Sequence, residues 1–394
     1  MLLGEYQDLA SRTDVSSSET SQRHLILGLF GEAGSVLSVV KKKGRDSSGS
    51  RVYLDSASEE LGDLLWYVAT AAKRSGLNLP KIAKPLALQE YRSKRLATLT
   101  FSNLQRPRHL VPAAPTRYLE LVLMYLAEAV GLLIVEQRES RRSTDLKRLC
   151  DAYTKVLRRM IDVANRLGLS LDDVAKANLA KTSDRWPEDC SRRYPGPFDS
   201  RFPPYERLPR NISFNIREVE SDGEDHFVYQ SYGKIKIGDR LTDNIEYSDD
   251  YRFHDVFHYA YAAVIGWSPV LRSILKVKRK SVKEIDQNQD GARAILIEEG
   301  LATLIYNVAK REGGLFRDVE RGKLSFDLLK TIRTFVQGYE VQNVPYWVWE
   351  EAILQGFEAF RYLVEHRRGR VTIDYANRRL EVGPIPLRAL QKRR

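Results

Sequence analysis

Along the first 185 or so residues, apolar side chains recur every three or four positions, the spacing of helices that bury one face. Leu25 to Val40, Leu61 to Ala72, Tyr118 to Val135 and Ala152 to Leu167 each read as such a helix. Two stretches rich in breakers interrupt them, GRDSSGS at 44–50 and RPRHLVPAAPTR at 106–117. The second reads as a linker between two similar helical units.

After Trp186 the pattern changes. RRYPGPFDSRFPPYERLPR (192–210) holds five prolines and reads as an ordered linker. Strand-like runs follow at 212–216, 227–229 and 234–237. Helical spacing returns at 251–265, 290–311, 326–338 and 346–366, and a closing hairpin is predicted from Arg370 to Tyr375 and from Arg379 to Val382. Gly266-Trp267-Ser268-Pro269 ends the first of these helices, and the aromatic run Pro345 to Trp349 reads as core or interface. A chain of 394 residues is too long for one ordinary core, so two or three domains are expected.

The two N-terminal units resemble each other. Leu29-Phe30-Gly31-Glu32-Ala33-Gly34 lies over Tyr125-Leu126-Ala127-Glu128-Ala129-Val130, and Lys73 to Leu79 lies over Asn165 to Leu171 at nearly the same offset. We read residues 1–105 and 116–186 as two copies of one helical unit, packed as an internal pseudo-dimer. Residues 187–210 are the linker, and 211–394 a mainly helical domain with a small β component.

Apolar content is 43% and no apolar run is expected to reach the length of a bilayer span. MLLGEYQDLASRTD lacks the basic-then-apolar pattern of a secretion leader, so a cytoplasmic protein with no membrane partner is expected. Cys150 and Cys190 form no CxxC pair, which argues against a disulfide framework and a thiolate metal site; both read as small buried or half-buried residues. The net charge of +11 fits an anionic partner. The basic clusters Lys41 to Lys43, Lys276 to Lys280 and Lys392 to Arg394 read as solvated faces, and no zinc-finger, RRM or KH signature supports nucleic-acid binding.

Candidate chemistry begins with Glu32 and Glu59-Glu60-Leu61-Gly62-Asp63. Glu60 and Asp63, three apart, share a helix face, and both border the apolar run that continues through Leu64 and Leu65. Glu32 stands in an equally apolar context on the preceding helix. Carboxylates at the edge of a buried stripe call for a counter-charge, and oxygen ligands from two facing helices suit Mg²⁺. The plain alternative is a charged, solvated helix face.

GLFGEAGSVLSVVKKKGRD followed by EELGDLLWYVATAAKRSGLNL resembles the MazG-like all-α nucleotide pyrophosphohydrolases, whose hallmark is E-x-x-E on one helix and E-x-x-D on the next. The resemblance covers residues 20–95 strongly and 118–187 more weakly. It implies tandem MazG-like units, Mg²⁺ held by Glu32, Glu60 and Asp63, and cleavage of a nucleoside triphosphate to monophosphate and pyrophosphate. It also implies a homo-oligomer. One position departs from the pattern: the second Glu of E-x-x-E is Ser35 here, so Glu59 or a residue from elsewhere has to compensate. In the second unit LDDVAKANLAKTSDRWP (171–187) matches the family's closing N-x-x-K-x-x-x-R, which assigns nucleotide and phosphate contacts to Asn178, Lys181 and Arg185. The first unit has lost these three, while the second has Ala152 and Lys155 where Glu60 and Asp63 stand. Each copy keeps what the other lacks, and one composite site is expected. A helix end that these residues merely cap and solvate is the alternative.

In the C-terminal part, His254 and His258 lie four apart on one helix face, beside Asp255, and Glu298 sits in a later apolar helix. Such a set can hold Zn²⁺, Mn²⁺ or Fe, with Asp249 and Asp250 as further candidates. Buried histidines that bond to acids or backbone fit the same pattern. H-E-x-x-H and the separated motifs of HD-type phosphohydrolases are absent, and this part resembles no family. Two functions therefore compete: a Mg²⁺-dependent pyrophosphohydrolase fused to a domain that adds or controls an activity, and a nucleotide sensor whose weakened site switches that domain.

Overall fold

The computed structural model describes residues 1–14, 20–45, 50–106, 116–140, 146–188, 192–220 and 226–386. Cys190, the basic tail from Lys392, and most of both breaker stretches lie outside the described residues. The chain divides into two compact units, Met1–Pro187 and Glu188–Arg394.

The first unit is helical: α1 (Leu3–Arg12), α2 (Thr20–Arg45), α3 (Ser50–Arg74), α4 (Leu79–Ala83), α5 (Thr116–Ser140), α6 (Leu146–Leu167) and α7 (Leu171–Arg185). α2 and α3 pack as one hairpin and α5 and α6 as another, with α2 against α5 and α3 against α6. The predicted apolar stripes meet in one core, where Leu29, Val36, Leu61, Leu64 and Val68 are fully buried with Leu126, Leu133, Val156, Leu157 and Met160. Gly28 lets the hairpin close: a Cβ there would lie 2.2 Å from the Tyr67 ring. α1 and α7 cover α3.

Both hairpins end in the same device. α3 and α6 stop at a left-handed glycine, Gly76 and Gly168, and the next helix starts two residues later on a side-chain cap, Asn78 and Ser170. A buried glutamine clamps the first turn: the Gln7 amide donates to Leu77 O (3.1 Å) and accepts from Leu79 N (2.8 Å). Gln105 repeats this on Leu169 O (3.2 Å) and Leu171 N (2.7 Å).

One expectation fails. Gln22–Lys42 and Tyr118–Arg138 are each long and apolar enough to cross a membrane by length and composition. Few charges interrupt either window, and a third of each is buried. Long amphipathic core helices meet the same criterion, so this is weak evidence for a span.

The second unit carries, among the described residues, a five-stranded antiparallel sheet in the order β3-β2-β1-β4-β5. Its strands are β1 (Asn211–Glu220), β2 (His226–Tyr232), β3 (Ile235–Leu241), β4 (Arg368–Asp374) and β5 (Arg379–Gly383). The predicted closing hairpin does not stand apart: β4 pairs with β1, from Asn211↔Asp374 to Arg217↔Arg368. Helices α8 (Asp255–Ala260), α9 (Pro269–Ile274), α11 (Ala292–Glu312), α12 (Phe326–Phe335) and α13 (Tyr346–His366) pack with the sheet around Phe214, Phe257, Trp267, Trp349 and Phe360, and the short α10 (Lys283–Asn288) lies against α11. α8 continues as a π-turn, Tyr261–Ile265, which stops at left-handed Gly266.

The Lys276 to Lys280 cluster is not wholly a solvated face. Arg279 is fully buried and grips Asp290 (2.6 Å) and Glu340 (2.8 Å), while buried Arg272 grips Asp199 (2.7 Å).

Candidate metal centres

In the first unit, α2 and α3 run antiparallel and bring Glu32 opposite Glu60 and Asp63. One carboxylate oxygen from each lies within 4.8 Å of the others. Burial and the charges of Asp63 and Glu60, together with a side-chain hydrogen bond to Glu60, push the Glu32 carboxyl up to about 7, against the pull of Lys181. A carboxylate trio so crowded that one member is pushed up this far is short of positive charge, which is what a divalent cation supplies.

α7 reaches this trio from the other half of the unit. Gly62 allows the approach, since a Cβ there would lie 3.1 Å from the Asn178 Cβ. The Asn178 amide donates to Asp63 Oδ1 (3.0 Å) and accepts from the Tyr6 hydroxyl (3.1 Å). Lys181 lies 2.5 Å from the Asp63 carboxylate and 3.3 Å from Glu59. Two of the three residues expected to complement the acidic copy therefore stand on it. Arg185 differs: it is buried, with its guanidinium 5.3 Å over the Trp186 ring. Ser35 sits one turn along α2 from Glu32, and Glu128 of the second copy is exposed. A cleft of about 970 Å³ starts two residues past Glu32, lined by Gly34, Leu37, Lys41, Tyr53, Met124 and Arg166.

The raised Glu32 has a measurable consequence. With its folded pKa near 7 and an ordinary value of 4.5, the folded protein binds the extra proton, so this group's stabilising contribution is present below 4.5 and lost as pH rises through about 7. The thermal midpoint of metal-free protein should fall across that window relative to Glu32→Gln, and Mg²⁺ should restore it most at the alkaline end. Parallel melting curves with and without Mg²⁺ test this; identical slopes for the two proteins would contradict it.

In the second unit His254 and His258 meet α11, but not through Glu298 in the way the sequence suggested. Both oxygens of Glu298 are engaged, one by His258 Nδ1 (2.9 Å) and one by Val270 N (2.8 Å). The carboxylate beside both rings is that of Glu299, whose Oε2 lies 3.4 Å from His258 Nε2 and 3.8 Å from His254 Nε2. Adjacent positions on a helix point about 100° apart, so only one glutamate of the pair can face the gap between the rings. Burial alone would favour a neutral His258, but Glu298 and Glu299 outweigh it and hold the ring well above its ordinary value. Burial pushes Glu299 up, while His258 and His254 pull it lower and prevail. Asp249 and Asp250 are taken up elsewhere: Asp249 pairs with Lys310 (2.9 Å), and Asp250 with Arg252 (2.7 Å) and with Arg367.

Comparison with known proteins bears on the second unit. No curated protein and no solved structure matches the chain. Residues 193–386 match the family model described as the MazG C-terminal domain. The match falls on the half for which the sequence suggested no family, and not on the half whose acidic motifs carry the resemblance. Over those residues, just under half of its length, the chain is similar to MazG C-terminal domains.

Proposed function

We propose that Met1–Pro187 is a Mg²⁺-dependent nucleoside-triphosphate pyrophosphohydrolase with one composite site. The observation that carries this reading is the seating of Lys181 and Asn178, from one helical hairpin's closing helix, on the Asp63 carboxylate of the other. The matched Gln7 and Gln105 clamps support descent of the two halves from one duplicated unit, arranged as an internal pseudo-dimer. The MazG-related C-terminal half supports the same family of chemistry.

In this reading Glu32, Glu60 and Asp63 hold Mg²⁺, which when bound supplies positive charge to the phosphates. Asn178 fixes the Asp63 carboxylate, and Tyr6 fixes Asn178. Lys181 adds a cation that can turn from Asp63 to the departing pyrophosphate. The water oxygen bonds to the α-phosphorus, the bond to the bridging oxygen breaks, and Glu59, half exposed beside Lys181, takes the water's proton. The neighbouring cleft, apolar with Lys41 and Arg166 at its margin, has room for the nucleoside.

Ser35 favours a second reading, in which a site one carboxylate short binds nucleotide and signals to the C-terminal half. Purified protein with Mg²⁺ and a panel of NTPs and dNTPs separates the two. Monophosphate and pyrophosphate, absent with Glu60→Ala, are expected; tight binding of triphosphates that stay intact would replace the enzyme with the sensor.

A further inference from the structure

The second unit holds a donor set that the pyrophosphohydrolase reading does not use. His254 Nδ1 faces the Tyr251 carbonyl at 2.8 Å, and a carbonyl can only accept, so Nδ1 carries the hydrogen. His258 Nδ1 faces Glu298 at 2.9 Å, and Glu298 is itself anchored by Val270 N. In the neutral rings both Nε2 atoms are therefore left with lone pairs. The Tyr251 ring stacks on His254 at 4.4 Å and 5°, which fixes the plane of the imidazole. Three residues after His258 the helix passes into its π-turn, a distortion frequent at functional sites.

The two Nε2 atoms and Glu299 Oε2 converge within 4.8 Å. His258 Nε2 is fully buried and finds no hydrogen-bond partner among the described residues. Its 3.4 Å to Glu299, and the 3.8 Å from His254 to the same oxygen, are long for hydrogen bonds. They are the right length for something else: ligands ~2.1 Å from a tetrahedral ion stand ~3.4 Å apart. A carboxylate behind the Nδ1 of a metal-binding histidine is also the usual support for such a ring.

We propose that His254 Nε2, His258 Nε2 and Glu299 bind one divalent transition-metal ion, with Glu298 and the Tyr251 carbonyl orienting the two rings. Two imidazoles and one carboxylate suit Zn²⁺, Mn²⁺, Fe²⁺ or Co²⁺, and disfavour Mg²⁺ and Ca²⁺, which prefer oxygen alone. Glu299, with 39% of its side chain exposed, marks the side from which the ion enters. Asp255 Oδ1, 3.3 Å from His254 Nε2, leaves a carboxylate beside any water that completes the coordination.

The test uses the full chain, stripped with chelator and titrated with Co²⁺. The expected result is ligand-field absorption in the visible, displaced by Zn²⁺ and unchanged in Glu60→Ala, which disables the N-terminal carboxylate site and should still take up one Co²⁺ per chain. Glu299→Gln, at a partly exposed position that keeps the core intact, should weaken binding at least ~100-fold, and Glu298→Gln by ~10–100-fold. His254→Ala should abolish the bands. Absence of ligand-field bands in the full chain, bands that survive His254→Ala and Glu299→Gln, or bands lost with Glu60→Ala would each overturn the proposal. None of these outcomes depends on whether the N-terminal site turns over nucleotide.

Discussion

Asp63→Asn should lower pyrophosphate release by on the order of 10²–10³-fold, the scale on which loss of one preorganised electrostatic group registers. Asp63 is where three functions meet. It is one of the three carboxylates within 4.8 Å, it accepts from Asn178, and it holds Lys181. Asparagine keeps the volume and loses the charge, so the loss should appear in turnover with the fold intact. Lys181→Ala is the informative partner. If Lys181 serves the phosphates, its removal should weaken nucleotide affinity while leaving Mg²⁺ binding by the trio close to normal. If Lys181 only neutralises the acids, Mg²⁺ should bind more tightly and nucleotide affinity should not change. Mg²⁺ titrations and nucleotide binding on both variants decide this, and unchanged turnover in Asp63→Asn would remove the trio from the mechanism.

Asp290→Ala should destabilise the second unit by about 3–5 kcal/mol, the usual cost of stranding a buried charge. Asp290 accepts from the Arg279 backbone N–H (2.8 Å), Nε (3.0 Å) and Nη2 (2.6 Å), and both residues are fully buried. Arg272 Nε lies 3.7 Å from the same carboxylate. Burial and the nearby Arg279 already hold the Arg272 guanidinium below its ordinary value, and removing Asp290 leaves the two cations facing each other. Glu340 and Asp199 remain, so the network is halved and not erased. Urea unfolding followed by the fluorescence of Trp267 and Trp349 measures the change. A loss under about 1 kcal/mol would mean that water or local rearrangement satisfies Arg279.

The contrast between these sites explains what the sequence could disclose. α2, α3, α5 and α6 were legible because each buries one stripe and exposes the rest. The acidic trio was legible because carboxylates beside that stripe are costly unless neutralised. Glu299 was not: Glu298 and Glu299 are neighbours in one helix, and which of them faces the gap between the two histidine rings is set by the rotation of α11 against α8. Arg279 was hidden for a related reason, since a basic run looks solvated until Asp290 and Glu340 arrive from distant segments. Gln7 and Gln105 carry no motif, and their shared role emerges only once two glycine turns are overlaid.

The position of β1 has a bearing on how the protein is made. Its partner β4 lies some 150 residues downstream, and the pair together form the middle of the sheet. A chain emerging from the ribosome therefore presents the edge of β1 to its surroundings until some 150 further residues have been synthesised. Contacts this remote in sequence form late and slowly, and an unpaired strand is a template for joining another chain. The second unit matures only after its own last strands are delivered, and a chain stopped before residue 368 leaves the centre of the sheet as an open edge.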